Sequence, residues 1–129
     1  PAPSMEDSEI LEIEGIGPAV LHRLESFNIF TLDDLAHADP LDVSRACEVP
    51  LAVAKGWQGQ ADLLRLGTLG ADEASLLVQG GVNGAADLAR RDPHDLARTL
   101  REQGASVTED AAERWIREAR AREERGFRP

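Results

Sequence analysis

The chain has 129 residues, of which 42% are hydrophobic, and its formal net charge is −10. That length allows one compact body and excludes two large independent domains. No stretch approaches the roughly 20 consecutive apolar residues that span a bilayer, and the start lacks the basic and apolar blocks of a signal peptide. We therefore expect a soluble, cytoplasmic protein. Because the sequence opens on Pro1, we also expect it to be a piece of a larger parent protein.

The amino-acid composition favours helices. Alanine and leucine are far more frequent than isoleucine and valine, which would favour strands, and tyrosine is absent. Small alanine side chains also let helices approach one another closely. We predict an all-α fold, built from short helices in a single compact body.

The first recognisable element is a turn over residues 13–17, followed by a helix. Gly15 and Gly17 are expected to take backbone conformations that are closed to other residues, with Ile16 between them buried in the core. Pro18 suits the first turn of a helix, because proline presets the backbone angle and its missing N–H would be unpaired there. The positive end of the helix dipole would then point outward.

Further along the chain, capping residues mark the starts of short helices. Each acidic or hydroxyl side chain placed just before a helix can accept a hydrogen bond from an amide of its first turn. Such signals occur as the capping-box spacing of Thr31 and Asp34 and as the Asp-Pro pairs that begin at Asp39 and Asp92. The two longest helices are predicted at about 50–66 and about 108–125.

The sequence contains two copies of one unit. Residues 17–41 align with residues 70–94 at a constant offset of 53, and after five extra residues in the second copy the offset becomes 58, which pairs Trp57 with Trp115. We expect both tryptophans in the core. A unit of this size cannot close its own core, so neither copy should be stable alone. The predicted organisation is a flexible segment 1–9, a first repeat 10–63, a second repeat 64–122 and a C-terminal tail 123–129.

Residues with chemical reactivity are few and scattered. Cys47 stands alone within an apolar pattern and is expected in the core. His22, His37 and His94 have no paired His or Cys at ligand spacing, which argues against a metal site. No set of nucleophile, base and orienting residue is apparent, and the glycine spacing fits neither a dinucleotide fingerprint nor a Walker loop. We predict a non-enzymatic protein without catalytic residues, metal or cofactor.

The string from Ile13 to Leu24 resembles the helix-hairpin-helix signature, in which a glycine-containing turn precedes an apolar helix. The segments Trp57–Leu66 and Asp87–Pro93 extend this resemblance to a bacterial tandem helix-hairpin-helix family of unassigned function, over roughly residues 10–122. The resemblance implies two hairpin repeats and no particular activity. In DNA-binding members of the superfamily, such a turn holds one backbone phosphate, usually with lysine or arginine nearby.

Charge is distributed unevenly over the two halves. Residues 1–63 carry 12 acidic and 3 basic side chains, whereas residues 64–129 carry 12 acidic and 11 basic ones. Nucleic-acid affinity comes largely from basic residues that neutralise phosphates. The better-matched hairpin lies in the acidic half, and the arginines accompany the second hairpin, which has Thr68 at the position of Gly15. These observations favour a protein partner over DNA or RNA.

We predict an adapter module that docks a protein partner or a domain of its own parent protein. The alternative is non-specific binding of a DNA or RNA backbone through the first hairpin, and a purely architectural role of its glycines also stays open. No membrane partner is expected, and the oligomeric state stays open. The predicted contact residues are Gly15, Ile16, Gly17, Pro18 and Arg23 on the first hairpin, and Arg90, Arg91, Arg98 and Arg101 on a basic surface of the second repeat.

Overall fold

A computed structural model describes residues 9–67 and 69–126, with only the backbone at 125 and 126. Within these ranges the chain forms helices and no strand, which confirms the all-α prediction. None of these helices combines the length and the apolar character that a bilayer span requires. A short 3-10 helix (Glu9–Glu12) is followed by α1 (Pro18–Glu25), α2 (Leu32–His37), α3 (Pro40–Cys47), α4 (Leu51–Leu64), α5 (Ala71–Gln79), α6 (Ala85–Ala89), α7 (Pro93–Glu102) and α8 (Glu109–Gly126).

The order of helices repeats along the chain. Helices α1, α2 and α3 recur as α5, α6 and α7, each beginning 53 residues later, and α4 recurs as α8, beginning 58 residues later. These are the two offsets of the sequence alignment. We call α1–α4 the first repeat and α5–α8 the second repeat, and residues related by these offsets are equivalent.

Helix starts carry the caps that the sequence predicts. The Thr31 hydroxyl accepts a hydrogen bond from the Asp34 amide (3.0 Å), and the Asp34 carboxylate accepts one from the Thr31 amide (3.2 Å), which completes the capping box. Asp39 and Asp92 accept bonds from first-turn amides of α3 and α7, and a proline follows each of them. Each cap pairs an amide that has no partner inside its own helix.

One apolar core runs through both repeats. Trp57 and Trp115, at equivalent positions of α4 and α8, are 5% and 2% exposed, and Cys47 is buried as expected. Helix α4 packs against α2 and α3 of its own repeat and against α5 and α6 of the second, while α8 packs against α6 and α7. Both repeats therefore share α4.

Polar contacts add to the junction between the repeats. Asp62 at the end of α4 accepts a hydrogen bond from the amide of Ala85 at the start of α6 (2.7 Å). The amide of Glu14 donates to the side-chain oxygen of Gln60 (3.2 Å), and the Glu14 carboxylate accepts a hydrogen bond from the hydroxyl of Ser75 on α5. The Glu14–Gln60 bond lies within the first repeat, but separation of the repeats would leave the Ala85 amide and the Ser75 hydroxyl without these acceptors, which is unfavourable wherever they stay buried.

The ends of the chain differ in detail from the prediction. Glu9, assigned to the flexible segment 1–9, begins the 3-10 helix. Helix α8 continues to Gly126, so residues 123–126 of the predicted tail are helical. The rest of these two predicted segments, 1–8 and 127–129, lies outside the described residues.

Candidate functional site

The glycine turn ahead of α1, residues 13–17, is held against the body of the protein. Gly15 has a φ of +96°, a left-handed conformation that favours glycine, and a β-carbon on it would stand 3.0 Å from the indole nitrogen of Trp57. Ile16 is 6% exposed, as predicted. Gly17 has an extended backbone, and a β-carbon there would meet no described atom within 4 Å. The expectation of a glycine-only conformation is therefore confirmed for Gly15 and wrong for Gly17.

Two further residues predicted around this turn have different surroundings. Pro18 begins α1 and is exposed. The guanidinium of Arg23 pairs with the carboxylate of Glu48, just after α3, at 2.7 Å. This hydrogen bond and the charge of Glu48 raise the pKa of Arg23. Arg23 thus bridges α1 to the end of α3, and its charge is already balanced by an acidic neighbour.

Arg91 spans a groove of the second repeat. Its guanidinium donates a hydrogen bond to the carbonyl oxygen of Gly81 (2.9 Å) and pairs with the carboxylate of Asp87 (3.0 Å). Burial raises the pKa of Asp87, but hydrogen bonds from Arg91 and from the Asn83 amide, together with the charges of Arg91 and Arg90, outweigh burial, so the pKa lies below its ordinary value. Arg91 therefore fills the space between α6 and the turn that precedes it.

The other predicted arginines do not share a surface with the glycine turn. Arg101 donates to the carbonyl oxygen of Val107 (2.8 Å), while Arg90 and Arg98 make exposed ion pairs at 3.8 Å and 3.5 Å with aspartates three residues earlier. Helix α1 packs on α3 and on the 3-10 helix, whereas α6 and α7 pack on α8. The two predicted groups of contact residues therefore lie on different repeats.

An open groove lies in the first repeat at the place that Arg91 fills in the second. Arg91 is equivalent to Ala38, and its two partners are equivalent to Asn28 and Asp34. With alanine instead of arginine, this space is a cavity of about 440 Å³. We call it the Phe27 groove, and it is lined by Phe27, Asn28, Ile29, Asp33, Asp34, His37, Ala38, Asp39 and Asp42.

Two exposed phenylalanines lie on the α1–α2 turn that forms this groove. Phe27 is 50% exposed and Phe30 is 38% exposed. The second repeat has Gly80 and Asn83 at the equivalent positions, and the same backbone hydrogen bond closes the turn in both repeats. The fold of this turn therefore does not require the two phenylalanines. Exposed aromatic residues grouped on one surface are typical of protein-binding sites.

Aspartates give the Phe27 groove a negative charge. The backbone amides of Phe30 and Thr31 donate hydrogen bonds to the Asp34 carboxylate, and these hydrogen bonds lower the pKa of Asp34. Asp33 pairs with Arg65 (2.9 Å). Within the described ranges, the Asp42 side chain makes no hydrogen bond or ion pair. Among all residues that the structure describes, no group of three His, Cys, Asp or Glu side chains is placed to hold a metal ion. The groove is suited to a cationic group of a partner.

A larger cavity, of about 600 Å³, lies between α2, α4 and the turn before α6. Arg65 bridges Asp33 (2.9 Å) and Asp62 (3.1 Å) on its wall. The side-chain amide of Gln58 donates to carbonyl oxygens at the end of α2. Because these polar groups are paired with one another, the cavity is better explained as part of the junction between the repeats.

Sequence reasoning identified the repeats but did not single out the Phe27 groove. It used the positions at which the repeats agree, and the groove depends on positions at which they differ. Phe27 is equivalent to Gly80, and Ala38 is equivalent to Arg91. The sequence signal for the groove was a large apolar residue in one repeat that aligns with glycine in the other.

A family model matches the chain over residues 14–122 and is described as a domain of unknown function, DUF4332. The matched range begins in the glycine turn and ends in α8, so it includes the Phe27 groove and most of both repeats. No curated protein and no solved structure gives a significant match to the chain.

Proposed function

Because the chain belongs to the DUF4332 family, a domain of unknown function, its role must be inferred from its own surface. We propose that it is a non-enzymatic helical adapter that docks a basic segment of a protein partner in the Phe27 groove. The observation that carries this proposal is the open groove at the place where the second repeat holds Arg91. The protein thus contains its own example of an arginine bound at the equivalent place.

The acceptors for an arginine are present in the first repeat. In the second repeat, Asp87 accepts a hydrogen bond from a backbone amide and also pairs with Arg91. Asp34, its equivalent, accepts the amide bond in the same way, but Ala38 stands at the position of Arg91. An arginine from a partner would restore the missing ion pair. Arginine suits such a place, because its planar head makes several hydrogen bonds in fixed directions.

Phe27 gives the groove an apolar contact beside its charge. A guanidinium over an exposed aromatic ring gains on the order of 0.5–1 kcal/mol, and an apolar neighbour in the partner would cover more of the ring. The excess of acidic residues in the first 63 positions would also attract a basic segment over a longer distance. A partner segment with both arginine and apolar residues fits these features best.

Nucleic-acid binding has less support on this surface. A phosphate at the glycine turn would need free amides and nearby cations, but the Glu14 amide already donates to Gln60, and Arg23 is paired with Glu48. A phosphate in the Phe27 groove would meet aspartates. The contact role assigned to the glycine turn and to the second-repeat arginines stays a prediction.

The test is fluorescence anisotropy with a labelled peptide of alternating arginine and leucine. A glutamate–leucine peptide and a labelled DNA duplex serve as alternative ligands, at about 50 mM and about 200 mM salt. Two variants install residues of the second repeat, Ala38→Arg to fill the groove and Phe27→Gly to remove the ring. Each should weaken binding of the arginine–leucine peptide roughly tenfold or more.

Ala86→Arg is the matched control, because it adds the same charge at an exposed alanine of α6, away from the groove. It should retain most of the peptide binding. Equal binding by the wild-type chain and Ala38→Arg would contradict the proposal. Tighter, salt-sensitive binding of the DNA duplex would replace it with the nucleic-acid function.

A further inference from the structure

The second repeat has a smaller cavity, of about 220 Å³, between α5, the α7–α8 loop and α8. Leu76, Val107, Ala111 and Trp115 contribute apolar walls, and Asp72 contributes a carboxylate. We call it the Leu76 pocket. Its volume lies below the range of about 300–1,000 Å³ that is usual for small-molecule sites. A single long side chain is the size of occupant that it fits.

In the first repeat, an arginine of the chain itself stands at the position of Leu76. Leu76 is equivalent to Arg23, which pairs with Glu48 at 2.7 Å. Ala111 is equivalent to Val53, so this wall is smaller by two carbon atoms in the second repeat. The α7–α8 loop is also three residues longer than the α3–α4 loop and carries no carboxylate in the place of Glu48. The residues around the Leu76 pocket thus differ at these positions from their equivalents in the first repeat.

In the second repeat, the acidic residues beside the pocket lie on α5 and not in the loop before the last helix. Asp72 and Glu73 occupy the positions of Ala19 and Val20. The Glu73 carboxylate accepts a hydrogen bond from the amide of Gly70 (2.8 Å), which caps α5. The Asp72 side chain makes no hydrogen bond or ion pair with another residue of the described ranges. The pocket therefore combines apolar walls with one carboxylate that is free to pair.

We propose that the Leu76 pocket receives an arginine side chain from the basic segment of a protein partner. The methylene stem lies against Leu76 and Val107, and the guanidinium pairs with Asp72. Arginine has the required combination of an apolar stem and a charged head. This inference rests on the proposed function, because it assigns a second contact to the same class of partner, on the other repeat.

The indole N–H of Trp115 reports on this pocket. Within the described part of the chain it is buried and has no hydrogen-bond partner. Two-dimensional ¹H–¹⁵N spectra contain one indole signal for each tryptophan, and the variant Trp57→Phe assigns them. The probe is N-acetyl-arginine amide, titrated to about 20 mM, because a single side chain is expected to bind in the millimolar range.

N-acetyl-citrulline amide is the matched ligand, since citrulline has the shape of arginine without its charge. The Trp115 signal should move saturably with the arginine amide while the Trp57 signal stays in place. Arginine should bind about threefold more tightly than citrulline, as expected for an exposed ion pair, and Asp72→Asn should remove that difference. Ala111→Val, which installs the residue of the first repeat, should weaken binding of both.

The outcomes separate this inference from the proposed function. No movement of the Trp115 signal, or equal binding of arginine, citrulline and N-acetyl-leucine amides, would overturn the arginine pocket. That result would leave the Phe27 groove unaffected, because the groove is tested with the peptide and Ala38→Arg. A Trp115 response in a protein that fails the groove test would overturn the proposed function alone.

Discussion

The indole nitrogen of Trp57 lies 3.0 Å from the position that a β-carbon on Gly15 would take. Gly15 also has a φ of +96°, so Gly15→Ala adds backbone strain to a close contact with a buried ring. We expect this variant to lower the free energy of unfolding by roughly 1–3 kcal/mol. Urea denaturation followed by circular dichroism measures the change.

Gly17→Ser is the control for that prediction. Gly17 has a φ of −106° and precedes α1, where serine is a favoured cap. We expect its free energy of unfolding to stay within about 0.5 kcal/mol of the wild-type value. Equal destabilisation by the two variants would show that the turn, rather than the Gly15–Trp57 contact, sets the requirement for glycine.

Asp62 contributes to the junction of the repeats through one short contact. Its carboxylate accepts a hydrogen bond from the Ala85 amide (2.7 Å) and pairs with Arg65 (3.1 Å). Asp62→Ala removes a helix cap and leaves a partly buried amide without its acceptor. We expect a loss of about 1–2 kcal/mol in the free energy of unfolding.

Asp95→Ala provides the comparison for Asp62→Ala in the same urea experiment. The Asp95 carboxylate is exposed, and among the described residues it makes only a long ion pair with Arg98 (3.5 Å). Its removal should change the free energy of unfolding by less than about 0.5 kcal/mol. If Asp62→Ala is as mild as Asp95→Ala, the Asp62–Ala85 contact does not stabilise the junction.

The helices were predictable because their signals are local. Thr31 and Asp39 cap helices through amides only a few residues away, and Trp57 and Trp115 repeat with the period of the unit. The contacts that join the two repeats connect distant residues instead. Glu14 meets Ser75 across 61 positions, and no local pattern encodes that pairing. The arrangement of the repeats around α4 therefore had to come from the structure.

Acid should destabilise the protein through Asp34 and Asp87. Hydrogen bonds lower the pKa of Asp34, and for Asp87 hydrogen bonds and neighbouring arginine charges outweigh burial and lower the pKa, both from an ordinary 3.8. A lowered pKa in the folded state means that each group stabilises the fold above about pH 4, and that this contribution is lost as the pH falls through the lowered pKa. Unfolding free energies measured between about pH 7 and about pH 2 should decrease most below pH 4.

Asp34→Asn separates this effect from general acid unfolding. The variant keeps a side chain that can accept hydrogen bonds from the Phe30 and Thr31 amides but cannot titrate. It should be less stable than the wild-type chain near neutral pH, and its stability should fall less steeply in acid. A pH profile parallel to that of the wild-type chain would show that Asp34 contributes nothing to the acid dependence.

The thiol of Cys47 should react slowly in the folded protein. Burial raises the pKa of Cys47, the nearby charge of Arg23 lowers it by less, and the residue is 6% exposed. Since the thiolate is the reactive form, a raised pKa and limited access both slow modification. A coloured disulfide reagent near pH 8 should modify the native thiol far more slowly than the urea-unfolded thiol. Equal rates would place Cys47 on an accessible surface.

Leu76→Arg should close the Leu76 pocket without destabilising the fold. Arginine already occupies the equivalent position of the first repeat, as Arg23. In α5 the new side chain would stand four residues after Asp72, a spacing at which opposite charges stabilise a helix by roughly 0.2–0.5 kcal/mol. The free energy of unfolding should stay equal to or slightly above the wild-type value, and N-acetyl-arginine amide should no longer shift the Trp115 signal. A stable variant that still binds the amide would place the arginine site elsewhere.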